Sequence, residues 1–266
     1  VSDLVTERFK KDGVNVLTGY KAKEFVVEGD DKVLICEFEG KDVRVPFDEV
    51  IVAVGRRANT KGFGLEELGV EISKGGTIEV DPYLQTNFPN IYVCGDAAGP
   101  YQFTHTASHQ AWYATVNSLF RPFKKFRADY SVIPWCTFTD PEVARVGINE
   151  KEAQEKNIPY ELTEFAMDES DRALTDSEGH GFVKVLTVPG KDKILGVTMV
   201  GTHAGDLIAE FVAAMKNKRG LGAILQTIHI YPTLVEVNKS VAGNWRKAHV
   251  PEKALGFLEK YFAWKR

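Results

Sequence analysis

A short apolar run followed by Gly-Asp is the feature that most constrains the fold of this chain. Residues 91–94 (Ile-Tyr-Val-Cys) form the run, and Gly95 and Asp96 follow it. Such runs are typical of buried parallel strands, and a glycine lets another group approach the backbone closely. Open α/β sheets bind ligands beyond the carboxyl ends of their strands. The stretch therefore predicts that Asp96 faces a ligand.

Two roles for Asp96 remain open at this level. A helix that begins soon after the strand would direct its amide dipole to the same place. The carboxylate would then accept hydrogen bonds from the hydroxyl groups of a sugar or ribityl chain. Alternatively, Asp96 only caps that helix, as aspartates commonly do.

Length and composition indicate a soluble globular protein. The 266 residues allow one large or two ordinary domains, and the net charge of −4 favours no nucleic-acid partner. Cys36, Cys94 and Cys136 are too scattered for a disulfide scaffold or zinc site, so we expect buried, inert thiols in the cytoplasm. No apolar run is long enough to span a membrane. Because the chain opens at Val1 and not at Met, we expect it to be a piece of a longer protein.

Two further blocks of sequence precede the Gly-Asp stretch. Residues 50–60 read Val-Ile-Val-Ala-Val-Gly-Arg-Arg-Ala-Asn-Thr, and residues 65–70 read Leu-Glu-Glu-Leu-Gly-Val. In this order the blocks resemble the second half of an FAD-dependent pyridine nucleotide-disulfide oxidoreductase, and the resemblance covers nearly the whole chain. It implies that Asp96 binds the ribityl chain of FAD, beside Gly95. It also implies that the chain leaves the NAD(P)-binding domain at the block that contains Gly55.

Residues 1–55 predict the tail of that NAD(P)-binding domain. A helix end over residues 4–11 precedes a short strand over residues 14–17, and residues 47–54 form a buried strand. Three antiparallel strands lie between them, at residues 23–27, 32–39 and 41–45. The Gly-x-Gly-x-x-Gly phosphate loop of dinucleotide domains occurs nowhere in the sequence. We therefore expect this piece alone to be inactive and to retain neither FAD nor NAD(P)H.

Residues 56–125 predict the returning segment of the FAD-binding domain, with a strand at residues 77–81. A helix should begin at Thr104, after Gly99-Pro100, and the resemblance places its start at the flavin. It implies that His105 contacts the pyrimidine edge of the flavin through its backbone amide. His105 is equally well explained as a first-turn residue without chemistry. His109, one turn later, is interpreted as packing or surface, because no third ligand supports a metal site.

Residues 126–266 predict a separate α+β domain. Five strands are expected, at residues 134–138, 143–146, 160–165, 181–188 and 194–201. Asn149 should cap a short helix and Asp206 a longer one. The apolar stripe of the longer helix is interpreted as core or dimer contact; it consists of Ile208, Phe211, Val212 and Met215. The resemblance implies a homodimer formed through this domain, whose aromatic tail, residues 238–266, should form amphipathic helices that cover it.

The last informative block is residues 228–236, Ile-His-Ile-Tyr-Pro-Thr-Leu-Val-Glu. It resembles the His-x-His-Pro-Thr-x-x-Glu block of dihydrolipoamide dehydrogenases and glutathione reductases. There the second His is the acid/base for the active dithiol at the partner subunit's flavin, and the Glu orients it. His229 and Glu236 hold the outer positions, whereas Tyr231 replaces the catalytic His, as in mercuric reductases. The chain lacks the C-terminal cysteine pair of those enzymes.

The replacement of His by Tyr changes the expected chemistry. Tyrosine titrates near about 10 and histidine near about 6.5, so only histidine is suited to exchange a proton at neutral pH. Tyr231 would instead donate a hydrogen bond or offer its oxygen to a ligand. The alternatives are that Tyr231 is a packed aromatic side chain beside Pro232, and that His229 is a satisfied core or surface histidine.

The predicted fold class is thus an α/β remnant of nucleotide-binding domains followed by an α+β dimerisation domain with an antiparallel sheet. The resemblance implies a flavoprotein oxidoreductase that moves electrons from NAD(P)H through FAD to a disulfide or other acceptor. The missing N-terminal portion of the same protein would be its structural partner. Two alternatives stay open: a non-catalytic dimerisation module, and a dihydrolipoamide dehydrogenase-like enzyme, which Tyr231 disfavours.

Overall fold

The chain forms two units in this computed structural model, which describes residues 1–266 except for the side chains of residues 252–254. One unit comprises residues 6–126, and the other comprises residues 127–266 with residues 1–5. Helix α1 (Ser2–Lys11) crosses this division. It ends before Gly13, whose positive φ of 84° suits the residue that follows a helix. Among the described residues, no helix is both long and apolar enough to cross a membrane.

A three-stranded antiparallel meander dominates the first half of residues 6–126. Its strands are β1 (Lys21–Glu28), β2 (Asp31–Phe38) and β3 (Lys41–Phe47), in the order β1-β2-β3. Tight turns at Gly29 and Gly40, both with positive φ, join the strands. The central strand buries Val33, Ile35 and Cys36. The predicted meander is therefore confirmed; β1 and β3 are slightly longer than expected, and β2 is shifted by one residue.

The other strands predicted in this unit are wrong. Residues 14–17 have no regular structure, and of the strand predicted over residues 47–54 only Phe47 lies in a strand, as the last residue of β3. Ile51 is 92% exposed. Residues 77–81 and 91–94 contribute only the isolated antiparallel bridges Ile72–Ile78 and Gln85–Tyr92. A buried strand needs hydrogen-bonded neighbours on both sides. Outside the meander, residues 6–126 as described provide no such neighbours.

Helices frame the Gly-Asp stretch within the same unit. Helix α2 (Leu65–Leu68) ends at Gly69, which has a positive φ of 75°. A short 3₁₀ turn covers Gly95–Ala97. Helix α3 (Thr104–Phe120) begins at Thr104, as predicted from the sequence.

The second unit is built on a five-stranded antiparallel sheet. Its strands are β4 (Pro134–Thr137), β5 (Glu142–Gly147), β6 (Glu161–Ala166), β7 (Phe182–Thr187) and β8 (Ile194–Gly201). Their order is β4-β5-β8-β7-β6. All five predicted strands are present, and the fold class of an antiparallel α+β domain is confirmed. The apolar strand β8 occupies the centre, where its backbone groups pair on both sides.

Seven helices accompany this sheet in the described structure: α4 (Glu150–Glu155), α5 (Asp171–Thr175), α6 (Ala204–Leu207), α7 (Ala209–Lys216), α8 (Leu221–Gln226), α9 (Glu236–Ala248) and α10 (Glu252–Lys265). Asn149 caps α4 through a capping box with Glu152, which confirms the predicted cap. The predicted cap at Asp206 is wrong. Asp206 lies inside α6, whose N-cap position is taken by His203 in a left-handed conformation.

The core of the second unit lies between the sheet and helices α6–α9. Ile208 and Phe211 are buried in it, and Val212 and Met215 pack against it. The stripe is therefore core and is not available as a dimer contact. Helix α9 also contributes to this core, as expected for the tail. The described side chains of α10, by contrast, are exposed or half-buried, so α10 does not cover the domain.

We expect Phe211→Ala to destabilise the second unit by about 3–5 kcal/mol, because it removes a fully buried ring and leaves a cavity. Chemical denaturation followed by tryptophan fluorescence measures the change. Phe138→Ala is the matched control, since Phe138 is 82% exposed; its effect should stay within about 0.5 kcal/mol. Equal losses in the two variants would contradict the assigned core.

Candidate functional site

The segment from Gly95 to Gly99 is held in place by one buried side chain of α3. The Gly95 N–H donates to Oε1 of Gln110 at 2.6 Å, and the Gln110 amide donates to the Gly99 carbonyl oxygen at 3.4 Å. Gln110 is fully buried. Gly95 has a positive φ of 74°, and a Cβ atom there would lie 3.2 Å from the Cβ atom of Ala107. The tight approach to α3 therefore requires glycine at this position.

Asp96 lies in the turn that these two hydrogen bonds of Gln110 hold in place. Its side chain is 39% exposed, and Oδ2 lies 3.5 Å from Nη1 of Arg56. The other guanidinium nitrogen of Arg56 donates to the Gln102 carbonyl oxygen at 2.6 Å. Asp96 does not cap α3, whose N-cap position is Phe103. The carboxylate therefore keeps accepting capacity for a ligand.

The amino-terminal turn of α3 lacks a side-chain cap. Phe103 makes no capping hydrogen bond, and its ring stacks on the exposed imidazole of His105 at a centroid distance of 5.1 Å. Thr104 is exposed, whereas the buried hydroxyl of Thr106 has no hydrogen-bond partner among the described residues. The backbone amides and the positive dipole end at the start of a helix suit an anionic or hydroxyl-rich ligand.

The remaining sequence candidates of this unit lie apart from regular structure or face outward. Gly55, with φ 132°, lies in the exposed segment that follows β3. His109 is exposed and packs edge-on against the Tyr113 ring at 4.9 Å. Across the described residues, no group of three His, Cys, Asp or Glu side chains is arranged to hold a metal ion.

The cysteines differ from the expectation of buried thiols. Cys36 is buried, but Cys94, next to Gly95, is exposed. Burial and then the neighbouring Glu142 carboxylate raise the pKa of the Cys136 thiol to about 11. Cys136 therefore stays a neutral thiol at physiological pH.

Tyr231 lies in the second unit and is 67% exposed as a residue. Its hydroxyl donates to Oδ2 of Asp171, the first residue of α5, at 3.0 Å. This hydrogen bond, and then the charge of Asp171, raise the pKa of Tyr231 above its ordinary value. The phenol is therefore a proton donor in a hydrogen bond and not a base at neutral pH.

His229 belongs to a buried polar network. Its side chain is only 4% exposed. Nδ1 lies 3.0 Å from the Thr227 carbonyl oxygen, and Nε2 lies 3.0 Å from both carboxylate oxygens of Glu210. The Asn238 amide donates to Glu210 and to the Leu207 carbonyl oxygen. Both ring nitrogens of His229 are engaged within the chain, so the ring holds the loop before Tyr231 in place.

Glu236 does not contact the Tyr231 hydroxyl in the described hydrogen bonds. Its Oε2 accepts the backbone N–H of Thr233 at 3.3 Å, close to the start of α9. Its charge contributes to the raised pKa of Tyr231, but less than Asp171 does. The carboxylate that faces the phenol is therefore Asp171.

Two sequence models of a single family match the chain. The model for pyridine nucleotide-disulphide oxidoreductases matches residues 1–111, and the model for the dimerisation domain of these enzymes matches residues 133–242. This chain belongs to that family. The match assigns the five-stranded antiparallel domain to the family's dimerisation domain.

Curated relatives agree with this assignment. A dihydrolipoyl dehydrogenase of Chlamydia muridarum is 35% identical over 237 residues, 89% of this chain and 50% of the relative. One of Staphylococcus aureus is 35% identical over 254 residues, 95% of this chain and 52% of the relative. The chain therefore spans about half the length of the curated relatives it matches.

Solved structures share the fold. The HOCl-induced flavoprotein disulfide reductase RclA from Escherichia coli aligns with a TM-score of 0.82 at 20% identity, covering 91% of this chain and 55% of that one. LpdA from Mycobacterium tuberculosis aligns with a TM-score of 0.79 at 24% identity, covering 89% and 50%. Likenesses at these identities support the fold alone.

Sequence reasoning missed the residues that hold the candidate side chains. Gln110, Asp171, Glu210 and Asn238 are ordinary polar residues in their local sequence, and each acts through a partner at least 15 positions away. The only local signal was a polar residue among apolar neighbours at a helix position that faces inward, as at Gln110.

We expect Asp171→Asn to lower the pKa of Tyr231 toward its ordinary value, because the substitution removes the charge that disfavours tyrosinate. Ultraviolet titration of tyrosinate shows this shift, and Tyr231→Phe identifies the contribution of Tyr231. Asp176→Asn, on a carboxylate that pairs with Arg172 instead, is the control. An unchanged titration curve in Asp171→Asn would contradict the pairing.

Proposed function

We propose that this chain forms the FAD-facing and dimerising part of an oxidoreductase that takes electrons from NAD(P)H and passes them to a disulfide or other acceptor. Membership of the family supports the reaction class. Relatives that match 89% and 95% of this chain are named dihydrolipoyl dehydrogenases. Bound FAD would supply the acceptance of a hydride and the onward transfer of electrons.

The observation that carries the proposal is the half-exposed Asp96 carboxylate, which lies in a turn that the Gln110 side chain holds in place. A buried glutamine fixes the backbone on both sides of Asp96. Fixed acceptors of this kind favour a ligand because little side-chain entropy is lost on binding. A ribityl chain offers the hydroxyl donors that such a carboxylate accepts.

The residues of this chain fit part of the flavin. Asp96 supplies an acceptor, and the uncapped start of α3, with the unpartnered Thr106 hydroxyl, supplies donors. We propose that Thr104 and the His105 amide belong to the same contact, with Gly95 allowing the close approach. The sequence contains no Gly-x-Gly-x-x-Gly loop, so the pyrophosphate groups of FAD and NAD(P)H would be held elsewhere. On this basis the chain alone should retain neither cofactor.

We propose that Tyr231 acts on the acceptor side of the reaction as a hydrogen-bond donor. Its hydroxyl is exposed, oriented by Asp171, and protonated at neutral pH. The neighbouring Ile228 and Ile230 side chains are also exposed, which suits a loop that contacts a second copy. A homodimer formed through residues 133–242, the family's dimerisation domain, follows from this proposal.

A non-catalytic dimerisation module is the second candidate. The exposed apolar residues of this loop favour it equally, because they require only a partner surface. Visible absorbance separates the two functions. The measurement uses a longer protein, one that also includes the half of the relatives' length that this chain does not match. A flavin spectrum in that protein supports the oxidoreductase, and a colourless protein supports the module.

We expect Asp96→Ala to weaken flavin binding by about 1.5–3 kcal/mol in that longer protein, because the substitution removes a charge-assisted acceptor. Flavin occupancy after dialysis measures the effect. Asp42→Ala is the control, since Asp42 is an exposed carboxylate that pairs with Lys23 in the meander. Full flavin retention in Asp96→Ala would reject the proposed contact.

We expect Tyr231→Phe to slow electron transfer to the acceptor by about 3- to 10-fold, the value of one hydrogen bond. Reduction of the flavin by NAD(P)H should stay nearly unchanged, since the hydroxyl is proposed to act only toward the acceptor. Stopped-flow kinetics separates the two half-reactions. Tyr160→Phe is the control, because its hydroxyl contacts only Gln154 among the described hydrogen bonds.

The proposed role of Tyr231 has a clear failing outcome. If Tyr231→Phe and Tyr160→Phe are indistinguishable in both half-reactions with every acceptor tried, Tyr231 packs against its neighbours and has no part in electron transfer. The flavin contact at Asp96 would be unaffected by that result, because the two sites are tested in different measurements.

A further inference from the structure

The segment that follows α3 combines exposed aromatic side chains with an excess of positive charge. Residues 118–128 read Ser-Leu-Phe-Arg-Pro-Phe-Lys-Lys-Phe-Arg-Ala, with four basic residues and no acidic residue. The chain as a whole carries a net charge of −4. This stretch thus carries a local excess of positive charge in an acidic chain. We call residues 121–126 the basic loop.

A buried asparagine closes the basic loop into a fixed shape. The Asn117 side chain accepts from the backbone N–H of Phe126 at 2.8 Å and donates to the Phe126 carbonyl oxygen at 2.7 Å. It also donates to the Tyr83 carbonyl oxygen at 3.0 Å. Asn117 is fully buried, and the Phe126 ring packs edge-on against Trp112 at 6.0 Å. The loop is therefore preformed at both ends.

The closed loop points its apolar side chain outward. Phe123 is 90% exposed, and Phe120, in the last turn of α3, is also exposed. Two lysines flank this tip. The Lys124 ammonium lies 5.0 Å from the centre of the Phe126 ring, and the Lys125 ammonium lies 5.7 Å from the centre of the Tyr83 ring. Both cations rest on aromatic faces. Neither forms a salt bridge with a carboxylate in the described part of the chain.

The third basic residue of the loop has a structural role. Arg121 donates to Oδ2 of Asp81 at 2.8 Å and lies over the Tyr83 ring. These contacts hold the first residue of the loop in place, and the charge of Arg121 is paired with that of Asp81. Phe123, Lys124 and Lys125 are therefore the side chains that the loop presents to a partner.

We propose that the basic loop docks this protein onto a membrane surface rich in anionic phospholipid, with Phe123 inserted at the level of the headgroups. Lysines near such a surface gain from its negative potential, and an exposed aromatic ring gains from burial at the acyl boundary. A rigid loop enters at little entropic cost. Contact with a second copy of the same loop is disfavoured, because a two-fold axis would bring like charges together.

Nucleic acid fits these observations less well. Binding to phosphates uses positive charge spread along a face, whereas here two lysines flank a single protruding ring in a chain that is acidic overall. The geometry matches an inserting tip with charges beside it. Oligonucleotide binding is therefore an outcome of the test that would overturn the proposal.

The test is co-sedimentation of the 266-residue chain with vesicles of phosphatidylcholine that contain about 30 mol% phosphatidylglycerol, compared with pure phosphatidylcholine vesicles. We expect binding to the anionic vesicles only, and its loss in about 0.5 M NaCl, where charges are screened. Lys124→Glu with Lys125→Glu should weaken binding at least 25-fold, from about 5-fold for each lysine removed. Phe123→Ser should weaken it about 10-fold.

Matched variants control for general effects of charge and apolar exposure. Lys151→Glu changes a lysine that is 83% exposed in the second unit, and Phe138→Ser changes a phenylalanine that is 82% exposed. Both should bind vesicles like the parent. Trp264→Ser tests the exposed aromatic residues of α10 and should also leave binding unchanged. Circular dichroism confirms that each variant is folded.

Four results would overturn the proposal. The first is that the parent chain does not bind anionic vesicles, and the second is that loop and control variants lose binding equally. The third is that Trp264→Ser abolishes binding while the loop variants retain it. The fourth is that a single-stranded oligonucleotide binds as tightly as the vesicles and loses binding with the same loop variants.

Discussion

Backbone hydrogen bonding of extended segments is the constraint on which this structure depends. An apolar segment can be buried as a strand only if its N–H and C=O groups find partners. The second unit meets this condition entirely within itself, since β8 pairs with β5 on one side and with β7 on the other. Its helices then cover an apolar sheet and complete a continuous core.

The first unit meets the same condition only in part. The meander β1–β3 pairs internally, but residues 50–54, with the same apolar character, remain irregular and exposed. Residues 91–94 are likewise held by a single bridge. Within this unit the Gly-Asp turn keeps its shape because α3 packs against it and Gln110 binds its backbone. Side-chain hydrogen bonds, and not strand pairing, thus position Asp96.

The two groups of candidate residues are built on the same physical plan. In each, an exposed polar side chain is oriented by its neighbours. Asp96 lies in a turn that Gln110 holds in place. Tyr231 is hydrogen-bonded to Asp171, in a loop that His229 holds in place. The buried Gln110 and His229 side chains are hydrogen-bonded within the chain, which makes them supports. The exposed ones keep capacity for a ligand or a partner. Preorganisation of this kind is the usual basis of selective binding.

The sequence by itself determined the family, the meander, the five antiparallel strands and the start of α3, because hydrophobic periodicity, turn residues and caps act over a few positions. It also identified Asp96 and Tyr231 as candidate functional residues. Only the tertiary structure decided which apolar runs became strands, that the Ile208–Met215 stripe faces the core, and that Asp171, rather than Glu236, faces Tyr231. These outcomes depend on contacts between residues far apart in the chain, and the local sequence does not specify which distant residue will be the contact partner.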